Sequence, residues 1–197
     1  MADIGYNFRA TSGYVGDGAG ETYVLDTDTY PTTRGGTTFG WIDSPGGGRD
    51  RDLGNDRRLA GINFGNNVRF QIDLPSTGTY AVHLAMGDAG GQQFAMQVRV
   101  KDSTATLLTI GPHDTITNEF FDSSDTSRTN LTWPGNEVAA SLTFSTTTCI
   151  LKFETATSNT CVAHLRLVQT AAAAAPSPPM PVRLVAGRRR PLKRRRF

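Results

Sequence analysis

The residues with the clearest binding chemistry are a group of bases at the C-terminus. Residues 171–197 hold eight of the 20 basic residues and no acid. These bases, with the terminal aromatic residue, are Arg183, Arg188, Arg189, Arg190, Lys193, Arg194, Arg195, Arg196 and Phe197. Guanidinium groups bind phosphates and carboxylates through paired hydrogen bonds, so the tail is predicted to dock on a negatively charged partner. The rest of the chain carries twelve bases against 18 acids, so the net charge of +2 averages an acidic body and a basic tail.

The tail sequence leaves three kinds of partner open. Arg-rich segments bind nucleic acid because they neutralise phosphates. Such runs also match nuclear-localisation signals. The third partner is an acidic protein lattice, which Leu184, Val185, Leu192 and Phe197 would contact with their apolar side chains. Five alanines and four prolines between residues 171 and 181 indicate an extended spacer ahead of the bases.

Metal chemistry has one weak candidate near the N-terminus. The phrase Gly-Asp-Gly-Ala-Gly-Glu offers the carboxylates of Asp17 and Glu21 together with turn carbonyls, which are ligands that suit calcium. The spacing matches no fixed calcium loop. The chain also lacks a C-x-x-C pair and has only three histidines, His83, His113 and His164. We predict no metal site and no cofactor, with calcium as the one candidate left open.

Catalytic motifs are not apparent in the sequence. There is no Gly-x-Ser-x-Gly nucleophile elbow, and no serine or cysteine stands in a recognisable nucleophile context. A glycosidase needs two carboxyl groups at a defined separation, which a sequence does not reveal. We predict that the protein is not an enzyme.

The elements that must position any site are strands. Residues 68–74 alternate apolar and polar side chains, and residues 79–86 repeat the pattern after a Pro-Ser-Thr-Gly turn, which predicts a hairpin. Further strands are predicted at 4–9, 21–25, 37–42, 94–100, 105–110, 138–144, 149–154 and 161–168, and long loops at 43–61 and 111–137. About ten strands without a helical window predict an all-β fold, an antiparallel jelly-roll β-sandwich. It is assigned residues 1–170, followed by the linker and basic tail at 171–197.

The two cysteines flank a second predicted hairpin. With its turn near Ser158-Asn159, Cys149 lies opposite a residue near Arg166 and Cys161 opposite Glu154. The sulfur atoms would then be too far apart for a disulfide, so we predict two reduced cysteines in the core.

The order of features from Phe8 to Asp88 resembles the malectin-like and galactose-binding-like carbohydrate modules. The resemblance is carried by residues 35–41 (Gly-Gly-Thr-Thr-Phe-Gly-Trp), by the Arg-bearing loop with Arg49 and Arg51, and by the phrases 70–80 and 82–88. Residues 150–167 resemble the last strand pair of that fold. Those modules are antiparallel jelly-roll sandwiches, so the resemblance implies the same fold and a carbohydrate site.

The resemblance also implies which residues contact the sugar. Trp41 is the first candidate, because an aromatic face stacks on a sugar ring, although packing in the core is the alternative for this residue. Tyr30, Arg34, Arg49 and Asp88 are its neighbours in the family pattern and complete the predicted glycan site. Asp88 would equally satisfy backbone donors at a strand end. The run Arg49-Asp50-Arg51-Asp52 has three interpretations, which are internal ion pairs, binding of a glycan acid, and a solvated loop, with the solvated loop as the default.

These features lead to one function and two alternatives. We expect a non-catalytic virion structural protein of a tailed bacteriophage, either a capsid decoration or a tail-associated protein, present in many copies. Its tail would bind other virion proteins and its sandwich would contact host surface glycans. No signal peptide and no membrane span are expected, so the protein would be made in the host cytoplasm. The alternatives are a free carbohydrate-binding module and a nucleic-acid-associated protein that acts through the tail.

Overall fold

The computed structural model describes residues 1–11, 21–51, 57–129, 137–155 and 159–173. The strands are β1 (Asp3–Arg9), β2 (Glu21–Leu25), β3 (Thr32–Arg34), β4 (Thr37–Trp41), β5 (Gly47–Asp50), β6 (Gly61–Gly65), β7 (Val68–Asp73), β8 (Gly78–Asp88), β9 (Gln93–Lys101), β10 (Thr106–Thr115), β11 (Glu119–Phe121), β12 (Ser127–Thr129), β13 (Ala140–Phe144), β14 (Thr148–Glu154) and β15 (Thr160–Ala172). A single 3-10 turn spans Arg57–Leu59. Within the described residues, no helix has the length and apolar character needed to span a bilayer. The bases and Phe197 predicted to dock on a partner lie outside the described residues.

The strands form two sheets that face each other. The first sheet has the order β12-β11-β8-β15-β1-β2, with β13 beside β8 and the β5–β6 pair beside β15, and the second has the order β10-β9-β14-β7-β4-β3. Among the described strands, β1 and β2 pair in parallel, and the other pairs are antiparallel. Strands β7 to β9 and β13 to β15 alternate between the sheets, as the connections of a jelly roll do. The prediction of an all-β sandwich is confirmed.

The two predicted hairpins are wrong. Strand β7 pairs with β4 and β14 in the second sheet, whereas β8 pairs with β15 and β13 in the first. Strands β14 and β15 are separated in the same way. Alternation of apolar and polar residues shows which side chains of a strand face the core. Two successive alternating strands can pair in one sheet or face the core from opposite sheets, and the sequence pattern is the same in both cases.

The regions predicted as long loops contain short strands. Strand β5 and the 3-10 turn lie within 43–61, and β11 and β12 lie within 111–137. At the other end of the body, β15 continues to Ala172, where it still pairs with Gly78 of β8. The sandwich therefore includes the first two residues that were assigned to the tail.

Both cysteines are free and buried, as predicted, although the geometry differs from the predicted hairpin. Cys149 lies in the second sheet opposite Ile72, and Cys161 lies in the first sheet opposite Phe64. Burial raises the pKa of both thiols, so the thiol form predominates.

Buried carboxylates hold the long connections in place. Asp122 is fully buried, and its Oδ1 accepts hydrogen bonds from the backbone nitrogens of Ser124 (2.9 Å) and Thr126 (3.3 Å). Its Oδ2 accepts from Arg128 Nε (2.9 Å) and from the backbone nitrogen of Val138 (3.0 Å). Burial opposes ionisation, but these donors and the Ser124 hydroxyl outweigh it and lower the pKa of Asp122. One side chain thus joins the turn after β11 to the segment before β13.

The substitution Asp122→Asn should lower the free energy of unfolding by about 2–4 kcal/mol, because buried donors lose their charged acceptor. Urea denaturation followed by circular dichroism measures this difference. The matched control is Asp114→Asn, at an exposed carboxylate that accepts one hydrogen bond from the backbone of Ala95. The control should change stability by less than about 1 kcal/mol, and equal losses in the two variants would contradict the anchoring role of Asp122.

Candidate functional site

A groove opens at the end of the sandwich, where two connections between the sheets face each other. The β2–β3 connection supplies residues 26–29 and the β4–β5 connection supplies residues 42–47, while Trp41 lies between them. The groove has a volume of about 480 Å³ and is open to solvent. Its rim carries the exposed hydroxyl groups of Thr27, Thr29 and Ser44.

Trp41 is a structural residue at the base of this groove. Only 2% of its surface is exposed, and its ring packs against Phe70 and Phe153. Its Nε1 donates to the carbonyl of Leu25 (3.0 Å), and its backbone exchanges hydrogen bonds with Asp28 and Tyr30. The indole therefore presents no free face to a sugar, and the predicted stacking role is replaced by the alternative, packing in the core. Because these bonds tie the β2–β3 connection to β4, Trp41 sets the width of the groove.

Gly40 allows the two connections to approach each other. Its φ is +148°, and a Cβ atom at this position would lie 2.5 Å from the backbone nitrogen of Tyr30. A larger residue would displace the chain at Thr29 and Tyr30. This explains why a glycine precedes Trp41 in the motif at 35–41.

Two of the other predicted ligand residues lie near the groove but are engaged in the fold. The half-buried Tyr30 donates its hydroxyl to Asp73 at 3.1 Å, and burial together with this carboxylate raises the pKa of Tyr30. Arg34 binds Asp28 through two nitrogens, at 2.8 and 2.9 Å, and its guanidinium lies 4.0 Å from the ring centroid of Tyr23. The Asp28 carboxylate raises the pKa of Arg34. Through Asp28, Arg34 therefore holds the β2–β3 connection in place.

The last two predicted residues lie farther along β5 and at the end of β8. Asp88 is fully buried and accepts two hydrogen bonds from Arg51, at 2.8 and 2.6 Å, and one from the backbone of Gly90. Arg49 is exposed, and its guanidinium lies 4.9 Å from the ring centroid of Phe64. Asp88 thus has the alternative role that the sequence offered, satisfying local donors, while Arg49 lies at the surface.

The groove residues that sequence reasoning missed lie in the two connections. Asp26 has no hydrogen bond or ion pair with another described residue, whereas Asp43 binds Arg69 through both oxygens, at 2.7 and 2.9 Å. The Arg69 guanidinium lowers the pKa of Asp43. Ile42 is 39% exposed and, with Pro45, supplies the apolar part of the rim. The available signal was the Ser-Pro-Gly-Gly-Gly composition of residues 44–48, which marks a turn but not its partner.

Glu21, one of the two calcium candidates, lies in the interior. Its side chain is 1% exposed, Asn7 Nδ2 donates to its Oε2 at 2.9 Å, and His164 Nε2 lies 3.5 Å from its Oε1. Burial opposes ionisation, but His164 and Asn7 outweigh it and lower the pKa of Glu21 to about 2. Asp17 lies outside the described residues, and within those residues no group of three acidic, histidine or cysteine side chains is arranged to hold a metal ion. Glu21 therefore makes polar contacts within the fold.

Comparisons with known proteins give limited information. No family model and no curated protein match the chain. Among solved structures, a calcium-binding mutant of Bacteroides uniformis β-glucuronidase 2 is similar over 86% of this chain, with 9% sequence identity and a TM-score of 0.48. The chain spans 18% of the length of that protein. What the groove binds therefore depends on the side chains that line it.

The substitution Glu21→Gln should flatten the dependence of stability on pH in acid. Because the folded pKa lies below the unfolded value of 4.5, the carboxylate stabilises the fold above pH 4.5, and this contribution is lost as the pH falls toward 2. The advantage of the natural chain over the variant should shrink by up to about 3 kcal/mol across that window. Urea denaturation at several pH values measures it, and parallel curves for the two proteins would contradict the assignment.

Proposed function

We propose that the protein is a non-catalytic module that binds carbohydrate in the groove between residues 26–29 and 42–47. We further propose that its basic tail fixes it to a multi-copy assembly, a bacteriophage virion. The observation that carries the first part is the composition of the groove. Its connections offer hydroxyl and carboxylate groups to sugar hydroxyls, and an apolar ledge to the C–H face of a sugar ring.

Both sides of the groove carry polar groups, and one side also carries its apolar surface. Thr27, Thr29 and Asp26 lie on one connection and can exchange hydrogen bonds with ring hydroxyls. Ile42 and Pro45 lie on the other connection and offer an apolar surface in place of the buried Trp41.

Asp43 in the groove does not suit the general-acid role in glycoside hydrolysis. A glycosidase keeps one carboxyl group protonated as a general acid, which requires a raised pKa. In the groove, the Arg69 guanidinium lowers the pKa of Asp43 and binds both of its oxygens. This supports recognition without turnover.

The attachment role is supported by the distribution of charge. The eight bases of the tail follow a body with an excess of six acids, so the tail is the basic region of the chain. An acidic protein lattice and nucleic acid are both partners that such a segment would bind. Weak glycan contacts gain strength when many copies are displayed together, which favours a lattice as the partner.

The substitution Ile42→Ser should weaken glycan binding about tenfold or more, because it removes the apolar ledge of the groove. The measurement is a glycan array of plant and bacterial saccharides, followed by calorimetry with the best ligand. The matched control is Ile116→Ser, at an isoleucine that is 65% exposed in the β10–β11 connection. Equal binding by the two variants would remove the groove from consideration, and the absence of binding by the natural chain would contradict the carbohydrate function.

Deletion of residues 174–197 should leave a folded body that no longer joins the particle. The deletion begins after Ala173, because the backbone of Ala173 still donates to Thr77. Sedimentation of particles assembled with either protein measures incorporation, and normal incorporation of the truncated chain would contradict the attachment role. A loss of DNA affinity without a loss of incorporation would assign the tail to nucleic acid instead.

A further inference from the structure

A second, smaller cavity lies beside the groove, and we call it the Arg49 pocket. It has a volume of about 70 Å³ and is formed by Arg49, Ile62, Phe64, Gln93, Asn159 and Cys161. Arg49, Ile62 and Phe64 belong to the β5–β6 pair, Gln93 begins β9, and Asn159 immediately precedes β15. A cavity of this size holds a few water molecules or one small polar group, and it is too small for a sugar ring.

Arg49 is a free cation in an acid-rich body. Within the described part of the chain, it makes no hydrogen bond or ion pair, and its contact is with the face of Phe64. The acid beside it in sequence, Asp50, binds Arg9 at 3.0 Å. The carboxylate of Asp88 is occupied by Arg51 and the Gly90 backbone. The guanidinium of Arg49 therefore keeps its hydrogen-bonding capacity for a ligand.

The Phe64 ring lies against that guanidinium, whose carbon is 4.9 Å from the ring centroid. The ring packs against the β5 backbone, where Cβ atoms at Gly46 and Gly47 would lie only 3.2 and 3.1 Å from ring carbons. The ring thus has a fixed position, and an Arg side chain stacked on it exposes its edge nitrogens. Such an edge binds the two oxygens of a carboxylate in parallel.

The other polar groups of the pocket are amides. The side chains of Gln93 and Asn159 line the cavity and form no hydrogen bonds with other described residues. Each amide nitrogen has two N–H groups to donate. One guanidinium and two amides around a small cavity suit an oxyanion, and they provide no carboxylate that would attract a cation.

The pocket adjoins the groove at Phe64. Gly46 and Gly47 line the groove and contact Phe64, and Phe64 in turn lines the Arg49 pocket. Gly47 and Arg49 are two residues apart on one strand, which is a distance of about 7 Å. A chain lying in the groove can therefore place a projecting group in the pocket.

We propose that the Arg49 pocket binds the carboxylate of a uronate unit in a glycan whose neighbouring units are neutral. This inference rests on the proposed function, because the groove supplies the site for the neutral units. The groove carries Asp26 and Asp43, so a uronate is favoured at Arg49 and disfavoured along the rest of the groove. A chain with isolated uronates thus fits better than one in which every unit is charged.

Calorimetry with three oligosaccharides of equal length tests the proposal. A hyaluronan hexasaccharide alternates uronate and neutral units, an N-acetylglucosamine hexamer is neutral, and a galacturonate hexamer is charged at every unit. The natural chain should bind the hyaluronan oligomer about tenfold more tightly than either of the others. Equal affinity for the hyaluronan and neutral oligomers, tighter binding of the galacturonate hexamer, or no binding of any oligomer would overturn the proposal.

Variants locate the effect at the pocket. Arg49→Ala should cost about tenfold or more in affinity for the hyaluronan oligomer and leave affinity for the neutral oligomer unchanged. Arg49→Lys should lose most of the same affinity, because an ammonium group keeps the charge without the paired geometry. Lys101→Ala removes one charge at the end of β9 and should change neither affinity by more than about twofold. If Lys101→Ala lost as much affinity for the hyaluronan oligomer as Arg49→Ala, the loss would come from the overall charge of the protein, and the proposal would be overturned.

Two further measurements distinguish a uronate site from a folding defect and from a sulfate site. Unchanged urea midpoints for the Arg49 variants show that they fold. The pocket is a sulfate site, and the uronate assignment is wrong, if two results are obtained together. The first is displacement of the hyaluronan oligomer by 10 mM inorganic sulfate, and the second is tighter binding of a sulfated neutral oligomer than of the hyaluronan oligomer. If the Arg49 variants bind like the natural chain while Ile42→Ser still abolishes binding, the uronate assignment fails and the proposed function stands.

Discussion

The packing of aromatic rings around Phe70 is the constraint on which the shape of the groove depends. Phe70 lies in the second sheet, and its ring contacts Tyr6 and Phe8 of the first sheet at centroid distances of 6.0 and 5.2 Å. It also contacts Phe39 and Trp41 on the neighbouring strand, at 5.9 and 5.1 Å. Edge-to-face contacts of this kind fix the separation and register of the sheets. Since Trp41 also holds the β2–β3 connection, the groove inherits its shape from this cluster.

Several acids of the body bind partners within the fold, in strands as well as in connections. Asp102 accepts five hydrogen bonds from Thr104, Ala105 and Ser145, and so joins the β9–β10 and β13–β14 connections. The Ser145 hydroxyl, against the opposing effect of burial, lowers the pKa of Asp102, and Thr104 and Ala105 add to this. Asp28 forms an ion pair with Arg34, and Asp88 forms one with Arg51. An ion pair cancels one acid against one base, so these pairs leave the excess of six acids in the body unchanged.

The sequence was informative wherever a local pattern determines a local structure. Alternation at 68–74 and 79–86 located two strands and their buried faces, and the two glycines at 35 and 36 take positive φ in the β3–β4 turn. Alternation does not tell which sheet a strand joins, so the two hairpins were wrong. The role of Trp41 was ambiguous because stacking on a sugar and packing in a core need the same residue type. The groove is formed by two connections that are separated in sequence. A periodic sequence pattern does not predict that two such connections lie next to each other.

The fate of the alternating charges at 49–51 shows how a fold creates a site from an ordinary surface sequence. By sequence alone, the run from Arg49 to Asp52 has three interpretations: internal ion pairs, binding of a glycan acid, or a solvated loop. In the structure, Asp50 binds Arg9 on β1, and Arg51 binds Asp88 at the end of β8. Because successive side chains on a strand point to opposite faces, Asp50 cannot neutralise Arg49 while it holds Arg9. Among the described residues, the two ion pairs that secure the β5 segment leave the Arg49 guanidinium without an ion-pair partner, so the anchoring of that segment and the availability of Arg49 have the same cause.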